Sequence, residues 1–409
     1  MTRKGTCRVV VMWPDFGEYH VARLQSASRL CPELGVAGIE TVGGHGSEQR
    51  LPFRTSRRSE VRIETLFPES DYADLSPALV QARVTQMLSR LDPAAVAVCG
   101  YAFCESRIAI GWCRREGRAA VLMSDSKRDD APRWNHRELF KQRIVRLCDA
   151  ALVAGAPHRD YIASLGMPHE RIFEGYDAVG NDEFARVAEA VRHNGPLDVS
   201  RLGIGSNRFF LACNRFIARK NLAGLVAAYA KYRTVAGSGA WDLVLLGDGP
   251  DFESIRRQVA DGRVDGVFLP GFRGIDELPL YYALAACFVH PALQDQWGLV
   301  VNEAMACGLP VLVSRTAGCR YDLVEEGLNG FTFDATSIDD MTSALLRMHY
   351  MPDECRIEMG HRSERIIARW GPDRFARGLQ GTVEAGVGHA RSRRRRLSLF
   401  DRLVLRPWL

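Results

Sequence analysis

No run of about 18 apolar residues occurs in this 409-residue chain, which excludes a helix that crosses a bilayer. Its eleven cysteines form no CxxC pair, and Cys99, Cys213, Cys287 and Cys307 lie in apolar segments where a thiol packs as a small hydrophobe. A cysteine zinc site is thereby excluded, and a reducing compartment fits. No G-x-G-x-x-G follows the first apolar run, which argues against a nicotinamide cofactor, and "GGHGSE" (43–48) lacks the lysine of a phosphate-binding loop. No small-residue cleavage site follows the opening MTRKGTCRVVVMW, so the chain reads as cytoplasmic. Strong charge of one sign is missing too: a formal net charge of +5 gives no footprint for nucleic acid.

What is present is ordinary for a globular enzyme, with 46% hydrophobic and 25% charged residues. The length suits two domains, each able to bury a core. Apolar strand-like runs alternate with amphipathic helical stretches: RVVVMW (8–13), AAVAVCG (94–100), AAVLMSD (119–125) and ALVAG (151–155) in the first half, then RFFLACN, WDLVLLG, GVFLPGF, ACFVHPA and PVLVS in the second. Such alternation builds parallel sheets covered on both faces. The polar, Gly- and Pro-bearing stretch 191–207 divides a first domain at 1–190 from a second at 208–372. A helix over 373–390 is expected to cross back to the first, ahead of a tail at 391–409. The expected fold class is α/β, two doubly wound units, whose ligands bind outside the carboxyl ends of the strands.

The stretch "QDQWGLVVNEAMACGLPVLVS" (294–314) places Asp295 before, and Glu303 within, a short helix that starts at Gly298. Unpaired amides and the positive dipole end at that start suit a diphosphate, and Gly298 lets it approach. Glu303 stands roughly 7 to 8 Å along the axis, where it can accept from a ribose diol. Spacing alone favours plainer roles, a capping acid at Asp295 and a solvated one at Glu303. Arg215, Arg219 and Lys220 follow the first strand of the second domain, where cations neutralise a diphosphate without a metal. Trp297 is either core packing or a wall for a sugar.

"NRFIARKNL" (214–222), "LLGDGP" (245–250), "VFLPGF" (267–272) and "DQWGLVVNEAMACGLPV" (295–311) resemble, in order, the motifs of the retaining family-4 glycosyltransferases of GT-B fold, the group 1 glycosyl transferases. The likeness covers most of residues 208–335. It implies two Rossmann-like domains facing each other across a cleft and transfer, with retention, from a UDP-, GDP- or ADP-linked sugar to an acceptor hydroxyl in glycoconjugate synthesis. No metal or other cofactor is implied. In that family two glutamates separated by seven residues flank the helix start; Glu303 matches the ribose-binding one, and Asp295, one methylene shorter, takes the place of the sugar-binding one. By the same resemblance Arg215 and Lys220 bind the diphosphate, the backbone of Gly298, Leu299 and Val300 completes its cradle, and Phe272 lies near the base.

In the first domain the resemblance puts Gly17, in "WPDFGEYH" (13–20), near the donor. The histidine that many members carry after the strand ending AAVLMSD is missing; Ser124 and Asp125 occupy that region, and His20 is the other candidate for acceptor binding or base. Two other readings share the fold: a sugar-nucleotide epimerase or hydrolase that needs no acceptor, and a non-catalytic sugar-nucleotide-binding protein. The tail "RSRRRRLSLFDRLVLRPWL" is either solvated or an anchor whose arginines meet an anionic membrane, in which case a lipid-linked acceptor follows.

Overall fold

The computed structural model describes residues 8–43, 60–130, 133–193, 202–205, 208–393 and 397–406. The "GGHGSE" stretch beyond Gly43, most of the 191–207 linker, and parts of the 391–409 tail lie outside them. Two compact units are present, Met1–Val179 with Gly371–Leu409, and Gly180–Trp370.

The first unit is built on seven strands: β1 (Val9–Trp13), β2 (Val36–Val42), β3 (Ile63–Phe67), β4 (Ala95–Cys99), β5 (Ala119–Ser124), β6 (Ala150–Val153) and β7 (Ile172–Glu174). They pair in parallel in the order β3-β2-β1-β4-β5-β6-β7. Alternation sends Val10, Met12, Val96 and Val98 to one core and Val9, Val11, Trp13, Ala95 and Ala97 to the other. Both faces must therefore be covered, which is why these strands read as unbroken apolar runs. The second face is closed by helices Glu18–Leu30 and Pro372–Ser392, the latter through Phe375, Ala376, Leu379 and Val383.

That terminal helix is fastened by a buried ion cluster. Asp149, fully buried at the start of β6, accepts from the Ala120 amide at 2.8 Å, from His389 at 3.0 Å and from Arg393 Nη2 at 2.9 Å. The Arg393 side chain is itself only 5% exposed.

The second unit holds β8 (Phe209–Cys213), β9 (Asp242–Leu246), β10 (Val267–Gly271), β11 (Cys287–His290), β12 (Val311–Ser314) and β13 (Gly330–Phe333), parallel in the order β10-β9-β8-β11-β12-β13. Helix Asn181–His193 belongs here, so the units divide ahead of the compositional break at 191–207. Its Phe184 ring meets Tyr282 at 6.0 Å, and Asn181 Nδ2 donates to the Ile367 carbonyl at 2.8 Å. The polar stretch marks a connection in the sequence, whereas packing of Phe184, Ala188 and Val191 decides which core owns the helix.

Removing the Asp149 carboxylate strands a buried guanidinium, which typically costs about 3–5 kcal/mol. Asp149→Ala should lower the urea midpoint accordingly, and Asp149→Asn, which still accepts from the Ala120 amide, should lower it less; an unchanged midpoint for Asp149→Ala refutes the anchoring role.

Candidate active site

In the second sheet the strand order reverses between β8 and β11, and at such a switch point loops leave in opposite directions and open a crevice. The residues after these two strands carry the candidate groups. Lys220 ends a single 3-10 turn, Ala218–Lys220, in the loop after β8, and Asp295 lies in the loop after β11. Their side chains meet, with Lys220 Nζ 2.5 Å from Asp295 Oδ2.

The same oxygen is held from behind by a residue the sequence reading did not single out. His290, the last residue of β11, is fully buried and its Nε2 lies 2.8 Å from Asp295 Oδ2. Burial lowers the His290 pKa against the raising effect of Asp295, so the ring is neutral. Its proton then sits on Nε2 and is donated to the carboxylate; Nδ1 has no partner among the described residues. Burial on its own raises the Asp295 pKa, but the hydrogen bond from His290 and the charge of Lys220 together hold it well below the usual carboxylate range. Asp295 Oδ1 has no hydrogen-bond partner among the described residues.

The loop that carries Asp295 is strapped at several points. Leu293 N–H donates to the Arg219 carbonyl at 2.9 Å, Gly318 N–H to the Asp295 carbonyl at 3.2 Å, and Ser314 Oγ to the Ala292 carbonyl at 2.6 Å. Gly298 then turns the chain into helix Leu299–Ala306 at φ 103°, a conformation that favours glycine, and a Cβ there would stand 3.2 Å from His290 Nε2. Leu299 and Val300, both half-buried, form the first turn, whose amides have no intrahelical partner.

Glu303, inside this helix, is 2% exposed and accepts from Tyr282 Oη at 2.7 Å, so it is not a solvated surface acid. Trp297 is core: it is buried, donates Nε1–H to Asn302 Oδ1 at 2.9 Å and lies 5.2 Å from the Trp370 ring. Cys307 is a buried thiol whose pKa burial pushes up, which leaves it unfit as a nucleophile.

Arg215, half-buried after β8, has no ion pair among the described residues. Arg219 instead reaches Gln296 Oε1 at 3.3 Å. Beside Arg215, the buried Asn214 amide has neither Oδ1 nor Nδ2 paired among the described residues. The "LLGDGP" turn explains itself here: Gly247 has φ 125°, and a Cβ on it would overlap the Asn214 carbonyl oxygen. Phe272 follows β10, the edge strand, and is half-buried.

In the first unit the candidates also fall at carboxyl ends of strands. Gly17 caps helix Glu18–Leu30 and donates its N–H to His20 Nδ1 at 3.2 Å; the His20 ring stacks on Trp13 at 4.5 Å. Burial, helped by the charge of Arg23, pushes the His20 pKa down to about 3. With Nδ1 accepting from Gly17, the proton of the neutral ring sits on Nε2, which makes His20 a hydrogen-bond donor there rather than a base. Ser124 ends β5, is buried, and accepts from the Ser126 amide at 3.2 Å, with Asp125 next in the chain. The structure thus joins Lys220, Asp295 and Gly298 through His290, and Glu303 to Tyr282. It leaves Arg215 and Phe272 on neighbouring loops, and Gly17, His20, Ser124 and Asp125 on the first unit. Among the described residues no group of three His, Cys, Asp or Glu side chains is placed to hold a metal ion.

Two outcomes follow from this geometry. Because His20 is held neutral when folded and titrates near 6.5 when unfolded, the folded state binds fewer protons between those values, and stability falls as pH drops from about 6.5 towards 3. Proton–carbon NMR of the histidine ring should show no His20 titration between pH 8 and 5, and His20→Gln should flatten the acid limb of the melting profile. Gly298→Ala should cost about 1–2 kcal/mol from the left-handed backbone alone, read as a lower denaturation midpoint; a neutral effect means that the turn is not held as described.

Residues 207–350 match the family model "Glycosyl transferases group 1". The chain is 31% identical, over 155 residues, to the GDP-mannose-dependent alpha-(1-6)-phosphatidylinositol monomannoside mannosyltransferase of Mycolicibacterium smegmatis, covering 36% of this chain and 39% of that one. It is 29% identical over 157 residues to a GDP-mannose-dependent alpha-mannosyltransferase of Corynebacterium glutamicum, covering 37% and 35%. The match therefore spans less than half the length of these curated relatives. Among solved structures, Anabaena HepE in complex with UDP and glucose superposes with a TM-score of 0.69 at 16% identity over 92% of this chain and 99% of that one. Residues 207–350 thus resemble the glycosyl transferases group 1 family, and the chain has the fold of the GT-B glycosyltransferases.

Proposed function

We propose that the protein is a retaining glycosyltransferase that moves a hexose from a nucleoside-diphosphate sugar to an acceptor hydroxyl in the cytoplasm. The observation that carries this reading is the Lys220–Asp295 pair beside the Gly298 helix start, at the switch point of the second sheet. Lys220 has three N–H donors, of which Asp295 takes one, so the ammonium can hold a phosphate oxygen without leaving its carboxylate. Arg215 and the first-turn amides of Leu299 and Val300 add positive potential, and together they stabilise the charge that develops on the departing diphosphate.

Glu303 accepts from the ribose diol, oriented by Tyr282, and Phe272 flanks the base. Asp295 offers Oδ1 to the donor sugar. The bond from the anomeric carbon to phosphate breaks and the bond to the acceptor oxygen forms on the same face. A phosphate oxygen of the leaving group takes the acceptor proton, so the reaction needs neither a strong protein base nor a metal, which accords with a neutral His20. By the resemblance Gly17 serves the donor, and His20, Ser124 and Asp125 serve the acceptor. The named activity of the relatives makes GDP-mannose the first donor to try, and a lipid-linked acceptor the first class. The basic tail then gives peripheral contact with an anionic membrane; no helix among the described residues is long and apolar enough to cross one.

Nucleotide release from UDP-, GDP- and ADP-sugars, with titration calorimetry of the free nucleotides, tests the reading. Wild type should bind one nucleotide saturably. Lys220→Ala and Arg215→Ala should lower turnover by about 10² or more, the usual scale for one preorganised charge contact, and Glu303→Gln should weaken nucleotide binding about tenfold. Absence of binding by folded wild type, or an inverted anomeric configuration in the product by proton NMR couplings, defeats it.

A further inference from the structure

The described part of the tail beyond the terminal helix, residues 397–406, packs on the first unit. Residues Leu399–Val404 form a helix with a capping box, in which Ser398 Oγ accepts from the Asp401 amide at 3.1 Å and Asp401 Oδ2 accepts from the Ser398 amide at 2.8 Å. Its inward side is Asp401, Val404 and Leu405, the last two joining the core cluster under β4 and β5. Arg143, on helix Asn135–Leu147, locks it in place with Nε 2.5 Å from Asp401 Oδ1 and Nη2 3.1 Å from Ser398 Oγ.

This docking leaves the wrong side chains outside for a water-facing helix. Leu399 is 85% exposed, Phe400 51% and Leu403 44%. The supporting helix repeats the pattern, since Leu139 is 61% exposed one turn before Arg143, and Trp134, at the helix start, is 57% exposed. The Arg143 guanidinium, one turn on from Leu139, lies 5.7 Å from the Phe400 ring and so brings the two helices' exposed apolar groups together there. Five large apolar groups on two packed helices exceed the scattered exposure that a monomer surface normally shows.

The charge around them has one sign. Arg137, Arg402 and Arg406 are exposed. The acids of the two helices are turned inward or paired, Asp401 with Arg143, and Glu138 with Arg133 and Lys141. Exposed apolar groups on helices that also carry exposed arginines complement a layer of anionic headgroups over acyl chain, where Trp and Phe bodies enter the interface and guanidinium groups pair with phosphate. We infer that helices Asn135–Leu147 and Leu399–Val404 form one fixed face that docks the first unit on an anionic lipid surface, with Trp134, Leu139, Phe400 and Leu403 inserted. The inference rests on the membrane-contact reading above and deepens it: the contact is a composite face set by the fold, not a basic tail alone.

Flotation of the full chain with phosphatidylcholine vesicles, with and without phosphatidylglycerol, tests it. Wild type should float only with the phosphatidylglycerol vesicles and should be released by high salt. Leu139→Ser with Trp134→Ser, which leaves the tail sequence intact, should lower the bound fraction about tenfold or more, as should Phe400→Ser with Leu403→Ser. These exposed positions carry no core contact, and an unchanged melting midpoint confirms the variants as folded; Arg137→Glu with Arg402→Glu supplies a second pair in case it shifts. If deleting 397–409, which keeps Arg393, abolishes flotation while Leu139→Ser with Trp134→Ser leaves it at the wild-type level, the tail acts alone and the composite face is wrong. If wild type does not float at all, the membrane-contact reading fails with it, while nucleotide binding in the second unit stands or falls separately.

Discussion

One carboxylate oxygen governs the site. Asp295 Oδ2 receives an ammonium from the loop after β8 and an imidazole N–H from the end of β11, the two strands at which the sheet order turns. A buried carboxylate with one partner is costly, because the attraction of a single cation seldom repays the loss of water. A second donor that carries no charge alters the balance. His290 stabilises the ionised acid yet adds no cation that would compete for Lys220, and its own burial keeps it neutral. Much else is arranged around that contact: the left-handed Gly298 that clears the imidazole, and the straps from β12 that hold the loop still.

The same contact gives a physical reason for an aspartate where the resembled family has a glutamate. Asp295 stands five residues after the histidine it must reach, in a loop that the Gly318 and Ser314 hydrogen bonds fix. One further methylene would carry the carboxylate about 1.5 Å beyond its present position. The short side chain keeps His290 and Lys220 on one oxygen and leaves the other without a described partner.

Most of the architecture was legible because both sheets are parallel and covered, so strands such as β1, β8 and β12 announce themselves as apolar runs. Strands β2, β3, β7 and β13 did not. β2 is broken by Gly38 and Glu40, and β7 is three residues long. The motif residues of the second unit were singled out by resemblance, since spacing alone favoured a capping acid and a solvated one; the burial of Glu303 against Tyr282 is what the fold adds. His290 and Tyr282 were not, because what makes them part of the site is a contact chosen by the tertiary fold. The one available hint was a polar residue closing the buried strand CFVH. Trp297 shows the converse: its place beside Asp295 in sequence suited core packing and a sugar wall alike, and only the fold, which sets its ring against Trp370 in the core, decides between them.

The resting site is close to neutral where the donor must bring negative charge, and this bears on how the proposed reaction is timed. With Asp295 ionised and Lys220 paired to it, the described residues around this pair include no isolated buried cation, and the free positive potential comes from Arg215 and the helix start. An arriving diphosphate draws on the unused N–H donors of Lys220, which weakens the grip of the lysine on Asp295. The carboxylate would then seek a proton if Lys220 were its only support. His290 removes that need, because its N–H remains on Oδ2 whatever Lys220 does. In the proposed reaction Asp295 would therefore stay ionised beside the sugar as positive charge gathers on the ring, while Lys220 would follow the charge that gathers on the phosphate. A neutral histidine behind the acid lets one ion pair serve two developing charges of opposite sign.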